Sequence, residues 1–193
     1  MPPLQAYTAL LGQLGNAPTL LVLASWCGFD PAEVAAQLRA LCPSAVLHGT
    51  SSCRGCITDD GGQHKLGLLG IYDPQGRYAS AIGHGASSPA TAREAGRAAA
   101  RGALALAGDA FMNEMPVAAL VNGAVGAEEE VLKGVEEVLG TDVIIVGGSC
   151  ADEQMDGSWW VCSSSPAPGS RWGKTAQVAT DGVAVTALGS VGK

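Results

Sequence analysis

Residues 19–53, TLLVLASWCGFDPAEVAAQLRALCPSAVLHGTSSC, decide the fold class. Residues 20–25 (LLVLAS) are a short apolar run of the kind that forms a fully buried strand. Asp30-Pro31-Ala32-Glu33 then starts a helix. Asp30 caps it, Pro31 suits the first helical position, and Glu33 completes a capping box. Val34, Leu38 and Leu41 give the apolar stripe, and Pro43 stops it. Residues 45–48 form a second strand, which ends in Gly49-Thr50-Ser51-Ser52-Cys53. Strand, helix and strand in this order make a crossover, so the two strands pair in parallel.

The same pattern returns 97 positions later in residues 116–150, PVAALVNGAVGAEEEVLKGVEEVLGTDVIIVGGSC. Without a gap, Leu23 falls on Leu120, and Val34, Leu38 and Leu41 fall on Val131, Val135 and Val138. Ser52-Cys53 falls on Ser149-Cys150. Glu128, Glu129 and Glu130 stand in the first turn of the second helix, where the helix dipole favours them. This reads as an internal duplication, with halves at about residues 19–84 and 116–188 of one domain spanning 1–193.

Between and after the units the pattern predicts hairpins. Residues 66–72 and 78–82 alternate as strands around the turn Asp73-Pro74-Gln75-Gly76. A last strand spans residues 182–188, with Trp159, Trp160 and Trp172 as cover for the final hairpin. A helix from Ser88 to about Ala107 buries Ala92, Ala95, Gly96, Ala99 and Ala103, and Arg93, Arg97 and Arg101 form its solvated side. The fold class expected is α/β, with mixed sheets built from two pseudo-symmetric β-α-β units, each followed by a β-hairpin.

Composition narrows the function. The 193 residues are 47% hydrophobic and 15% charged, with a net charge of −7 and a pI near 4.8. This balance lacks the basic footprint of nucleic-acid binding and opposes docking on anionic lipid. No signal-peptide pattern or membrane-length apolar run is present. The chain reads as soluble, acidic and cytoplasmic, with its six cysteines reduced.

Ligands of open α/β sheets sit beyond the carboxyl ends of the strands. The loops there carry Ser25 and Trp26, Thr50, Ser51 and Ser52, Asn122 and Gly123, and Gly148, Ser149 and Asp152. Their hydroxyls and free N–H groups suit a small carboxylate, phosphate or amide. Cys53 and Cys150 occupy matching places in the two halves. A thiol on each face of a substrate could remove and return an α-proton, as in a two-cysteine racemase or isomerase. The opposing reading is of small inert residues at strand ends.

His48-Gly49-Thr50-Ser51-Ser52 resembles the Gly-Cys-Ser/Thr-Ser/Thr loop of the FIST family. Asn122-Gly123 before the acidic helix, with Gly147-Gly148-Ser149-Cys150-Ala151-Asp152 after it, resembles that family's second hallmark. The closing Asp181-Gly182-Val183-Ala184-Val185 also fits. The resemblance covers roughly residues 19–188. It implies a sensory module that binds a small ligand, such as an amino acid, and passes the signal to a protein partner. That partner could be a C-terminal FIST-type domain or a second copy in a homodimer. The matching positions Thr50, Ser51, Ser52, Asn122, Gly148, Ser149 and Asp152 become pocket candidates. No cofactor is expected. Some relatives are linked to haem, for which His84 is the candidate ligand. Where the family has a small residue, this chain has Cys53 and Cys150.

Other chemistry is weakly marked. Cys53-Arg54-Gly55-Cys56 is a single CxxC, which supplies two of the four ligands of a structural zinc site. His48 ends a buried strand and reads as a core histidine bonded to backbone. No phosphate-binding glycine motif or nucleophile elbow occurs. A binding module that uses the small-residue helix 88–107 as an interface is the remaining alternative.

Overall fold

The computed structural model describes residues 2–57, 61–111, 114–166 and 176–189. The first crossover runs β1 (Leu20–Trp26), α2 (Pro31–Leu41) and β2 (Val46–Ser52), preceded by a helix α1 (Pro2–Leu14). A two-stranded ribbon, β3 (Cys56–Ile57) with β4 (Gln63–His64), leads to β5 (Leu66–Ile71) and β6 (Arg77–His84). Helix α3 (Ala92–Ala107) precedes the second crossover: β7 (Ala118–Gly123), α4 (Glu128–Leu139) and β8 (Ile144–Ser149). Strands β9 (Val161–Ser164), β10 (Gln177–Ala179) and β11 (Gly182–Gly189) complete the fold.

Two mixed sheets result, one ordered β10-β9-β2-β1-β5 and the other β6-β11-β7-β8. They pack face to face through β2, β6, β9 and β11. Helices α1 and α2 cover the outer face of the first sheet, and α3 and α4 that of the second. The class is α/β, in four layers.

Both crossovers pair in parallel, and in both the paired residues are 26 apart, as in Leu21 with Leu47 and Ala118 with Ile144. The gap-free overlay nevertheless fails at the strands. Leu21, Leu23 and Leu47 face α2, whereas Ala119, Val121 and Ile145 face α4. The facing residues are therefore offset by 98 in the strands, while the helical stripes keep 97. A one-residue slip turns a strand over, so Leu47 and Ile144 point to opposite sides.

The expected hairpin at Asp73-Pro74-Gln75-Gly76 is not formed. The turn exists, with Gly76 N–H donating to Asp73 O at 3.0 Å, but β5 pairs with β1 and β6 pairs with β11 in the other sheet. Strand β9 likewise crosses over after β8 to pair with β2 and β10. The strands after each unit thus tie the two sheets together. Trp160 lies in the core under α2, and Trp159 packs against both the core beneath α3 and α4 and the cluster of Cys150, Val161, Ala179 and Ala184. Trp172 lies outside the described residues.

The helices follow local chemistry. Asp30 Oδ1 accepts from Ala32 N at 2.9 Å and from Glu33 N at 3.3 Å, and Pro31 opens α2. Glu33 takes the Gln37 side-chain amide on the exposed face. The alanine face of α3 lets α4 approach to backbone contact. A Cβ at Gly96 would strike Val131 O, and one at Gly134 would strike Arg93 O. On the rim Arg93 and Arg97 both meet Glu137, exposed ion pairs of small net value. Each leucine buried among Leu20, Leu21, Leu23 and Leu47 contributes about 1.5–3 kcal/mol relative to exposure.

Candidate functional site

The fold places one polar chain between the sheets. His48, on the inner face of β2, is fully buried. Its Nδ1 lies 2.8 Å from Thr186 Oγ1 on β11, and its Nε2 lies 2.9 Å from Asn122 Oδ1 on β7. The expected backbone partners are replaced by two side chains. The Asn122 amide donates to Gly148 O on β8 at 3.0 Å, so its oxygen can only accept from the imidazole. The proton therefore sits on Nε2, and the unprotonated Nδ1 faces the Thr186 hydroxyl. Burial pushes the imidazole below its ordinary value, partly opposed by the Asn122 bond. The chain continues through Ser80 Oγ, 2.8 Å from Thr186 Oγ1, to Ser165, which donates to Ser80 O at 3.0 Å. Asn122 thus braces the β8 strand end.

Beyond that brace a cavity of about 310 Å³ opens at the carboxyl ends of β7 and β8. Val121, Val131, Leu132 and Ile145 form its apolar wall, Gly123, Gly147 and Gly148 its floor, and Ser149 and Glu128 its polar rim. At Gly147 φ is +149° and a Cβ would strike Val121 O, so the floor is bare backbone by necessity at that residue. Glu128 stands at the start of α4. Its Oε1 accepts from Ser149 Oγ at 2.8 Å and its Oε2 from Gly126 N at 3.2 Å. Its own backbone N–H, then the Ser149 hydroxyl, hold the carboxyl below its ordinary range, against some desolvation. At neutral pH the rim is a carboxylate at the edge of an apolar hollow. The rim suits a cation better than the bare anion expected for these loops.

The first unit spends its polar groups on the fold. Ser51 Oγ donates to Ala151 O at 3.0 Å and accepts from Trp160 N at 2.9 Å. Ser25 is buried and donates to Trp26 O at 3.3 Å, and Thr50 donates to Ser51 O at 3.3 Å. Asp152 is 6% exposed and receives the N–H groups of Met155, Gly157 and Ser158 at 2.6, 2.8 and 2.9 Å. Its carboxylate closes its own loop. Trp26 lies beneath Lys65, whose Nζ is 3.8 Å from the ring centroid, and Ser52 is half-buried beside it. Of the loop residues singled out from the sequence, Gly123, Gly148 and Ser149 line the cavity and Asn122 supports it.

The two matched cysteines differ. Cys53 is half-buried, while Cys150 is buried and gives its S–H to Gly123 O at 2.9 Å. Desolvation, then the charges of Asp152 and Glu128, push the Cys150 thiol up to about 12. Proton abstraction needs a thiolate, and this environment holds the neutral thiol. His84 is exposed at the last position of β6, opposite Gly182. No group of three or more His, Cys, Asp or Glu placed to hold a metal ion occurs among the described residues. No helix among them is long and apolar enough to cross a membrane.

Sequence reasoning missed Glu128 as a site residue, because a first-turn glutamate is accounted for by the helix dipole alone. The signal was its place directly after the glycine-bearing loop 123–127. The larger groove, about 400 Å³ between α1 and β5, was also unforeseen, since α1 itself was not expected.

Compared with known families, residues 19–191 match the FIST N domain. No curated protein matches the chain.

Proposed function

Because the chain belongs to the FIST family, a family of sensory domains, we propose that it is a small-ligand-binding signalling domain whose ligand occupies the cavity at the ends of β7 and β8. The observation that carries this reading is the union of apolar wall, bare glycine floor and ionised Glu128 in one hollow. At about 310 Å³ its size suits a small metabolite. An amino acid with an aliphatic side chain has the matching chemistry. Its ammonium group meets Glu128, and its side chain packs on Val131, Leu132 and Ile145. Its carboxylate turns towards the backbone of Gly147 at the sheet edge. Occupancy pulls on β8, which Asn122 and His48 tie to the inter-sheet contact. The signal passes from there to a protein partner, such as a C-terminal FIST-type domain.

Ligand-observed NMR tests the reading with three probes: leucine, its deaminated analogue and its decarboxylated amine. Leucine and the amine are expected to show saturation transfer and the deaminated acid none. Glu128→Gln weakens leucine about tenfold, or about 1.4 kcal/mol. Binding holds from pH 8 down to 5 and falls as Glu128 protonates below its ordinary range. Equal binding of the deaminated acid contradicts the assignment of the rim.

A further inference from the structure

We propose that Cys27 and Cys53 are a redox pair, which a peroxide converts to a disulfide that ties the carboxyl ends of β1 and β2 together. The parallel ladder of these strands ends with Trp26 opposite Ser52. Cys27 N–H donates to Ser52 O at 3.1 Å, so Cys27 and Cys53 leave the ladder side by side. Neighbouring strands lie about 4.8 Å apart, inside the roughly 4.4–6.8 Å between Cα atoms that a disulfide spans. The Cys27 thiol already donates to Cys53 O, at 3.8 Å. Both residues are half-buried and both thiols are free, within reach of a small oxidant.

The remaining cysteines are engaged elsewhere. Cys42, Cys150 and Cys162 are buried. Cys56 completes the CxxC with Cys53, but its S–H is directed to His64 O at 3.7 Å, and its sulfur fills the space that a Cβ on Gly67 would take. Gly55, at φ +93°, turns the chain between the two. Cys56 is thus the sequence neighbour of Cys53, and Cys27 is its spatial one.

The reaction is a two-electron oxidation. Peroxide takes one thiol to a sulfenic acid and leaves as one water. The other sulfur then displaces the hydroxyl, which leaves with its proton as a second water. Two thiols and one peroxide give one disulfide and two waters. The pair lies in the first unit, away from the cavity, so the inference stands apart from the ligand assignment.

The reduced full chain, exposed to hydrogen peroxide, alkylated and mapped by non-reducing peptide mass spectrometry, tests this. The expected result is a fall in mass of about 2 Da, the two hydrogens lost, and one cross-linked peptide joining Cys27 to Cys53. Dithiothreitol reverses it. Cys56→Ser keeps the cross-link, and Cys27→Ser or Cys27→Ala removes it. A Cys53–Cys56 cross-link, or oxygen added at Cys53 with Cys27 still alkylated as a free thiol, overturns the proposal. The mapping is done on the unmutated chain, so a variant that fails to fold does not blur the result.

Discussion

Strands β2 and β8 close two crossovers of the same spacing, yet Val46 and His48 are 3% and 0% exposed where Ile144 and Val146 are 68% and 53% exposed. The difference arises after the crossovers, not within them. The chain leaving β8 crosses to the other sheet as β9 and pairs with β2. This buries the first unit on its edge and leaves β8 as the bare edge of the second sheet. The covered unit turns Ser51 into framework, bonded to Ala151 and Trp160. The uncovered one keeps Gly147, Gly148 and Ser149 open beside Glu128. Two similar units have thus divided the work, one holding the sheets together and one offering a site.

The widest separation between the units is expected in stability. Leu47→Ala removes a buried core side chain and costs about 2–5 kcal/mol, whereas Ile144→Ala costs within about 0.5 kcal/mol. Urea denaturation of the two variants reads this directly, and equal losses would erase the contrast.

A pH titration of stability comes next. The folded His48 imidazole lies below its ordinary value, so the unfolded chain binds the extra proton as pH falls. Stability is whole above about pH 6.5 and falls below it by up to about 1.4 kcal/mol per pH unit, until the folded value is reached. In His48→Gln that component of the slope disappears. A slope unchanged by the substitution would remove His48 from the inter-sheet account.

Smaller effects sharpen the contrast at the helix starts. Asp30→Ala costs about 1 kcal/mol through loss of its cap on α2, measured as a lower melting temperature. Helix α4 starts at Ala127 without a side-chain cap bond, and its first turn is organised instead through Glu128, Gly126 and Ser149. The smallest stability change is expected at Gly148→Val. The space around that position is open, so stability moves within about 0.5 kcal/mol. The new side chain stands in the cavity, and leucine binding is lost.

Local patterns carried much of this into the sequence. Both crossovers, the Asp30 cap and the alanine face of α3 are set by neighbours within a few residues. What depends on distant partners was hidden. Asp73-Pro74-Gln75-Gly76 announces a turn, but nothing local says that β5 and β6 join different sheets. His48 meets partners 138 and 74 residues away. The overlay at 97 held for the helices and slipped by one in the strands, because leucine, isoleucine and valine occupy both faces of β1 and β8. Helix α1 was obscured by Pro2, Pro3 and Gly12, and it is anchored instead by burial of Tyr7. At the site, the glycine loops were legible as candidates. Which hydroxyls the fold would consume was not, since Ser51 and Ser149 look alike until β9 and α4 are in place.

The most direct test of the account is a backbone amide NMR titration of the full chain with leucine. The account predicts shifts concentrated at Gly123, Gly147, Gly148, Ser149, Val131 and Leu132, with a midpoint about tenfold higher in leucine for Glu128→Gln. Shifts centred instead on the groove between α1 and β5, around Ala6, Leu10 and Lys65, would contradict it.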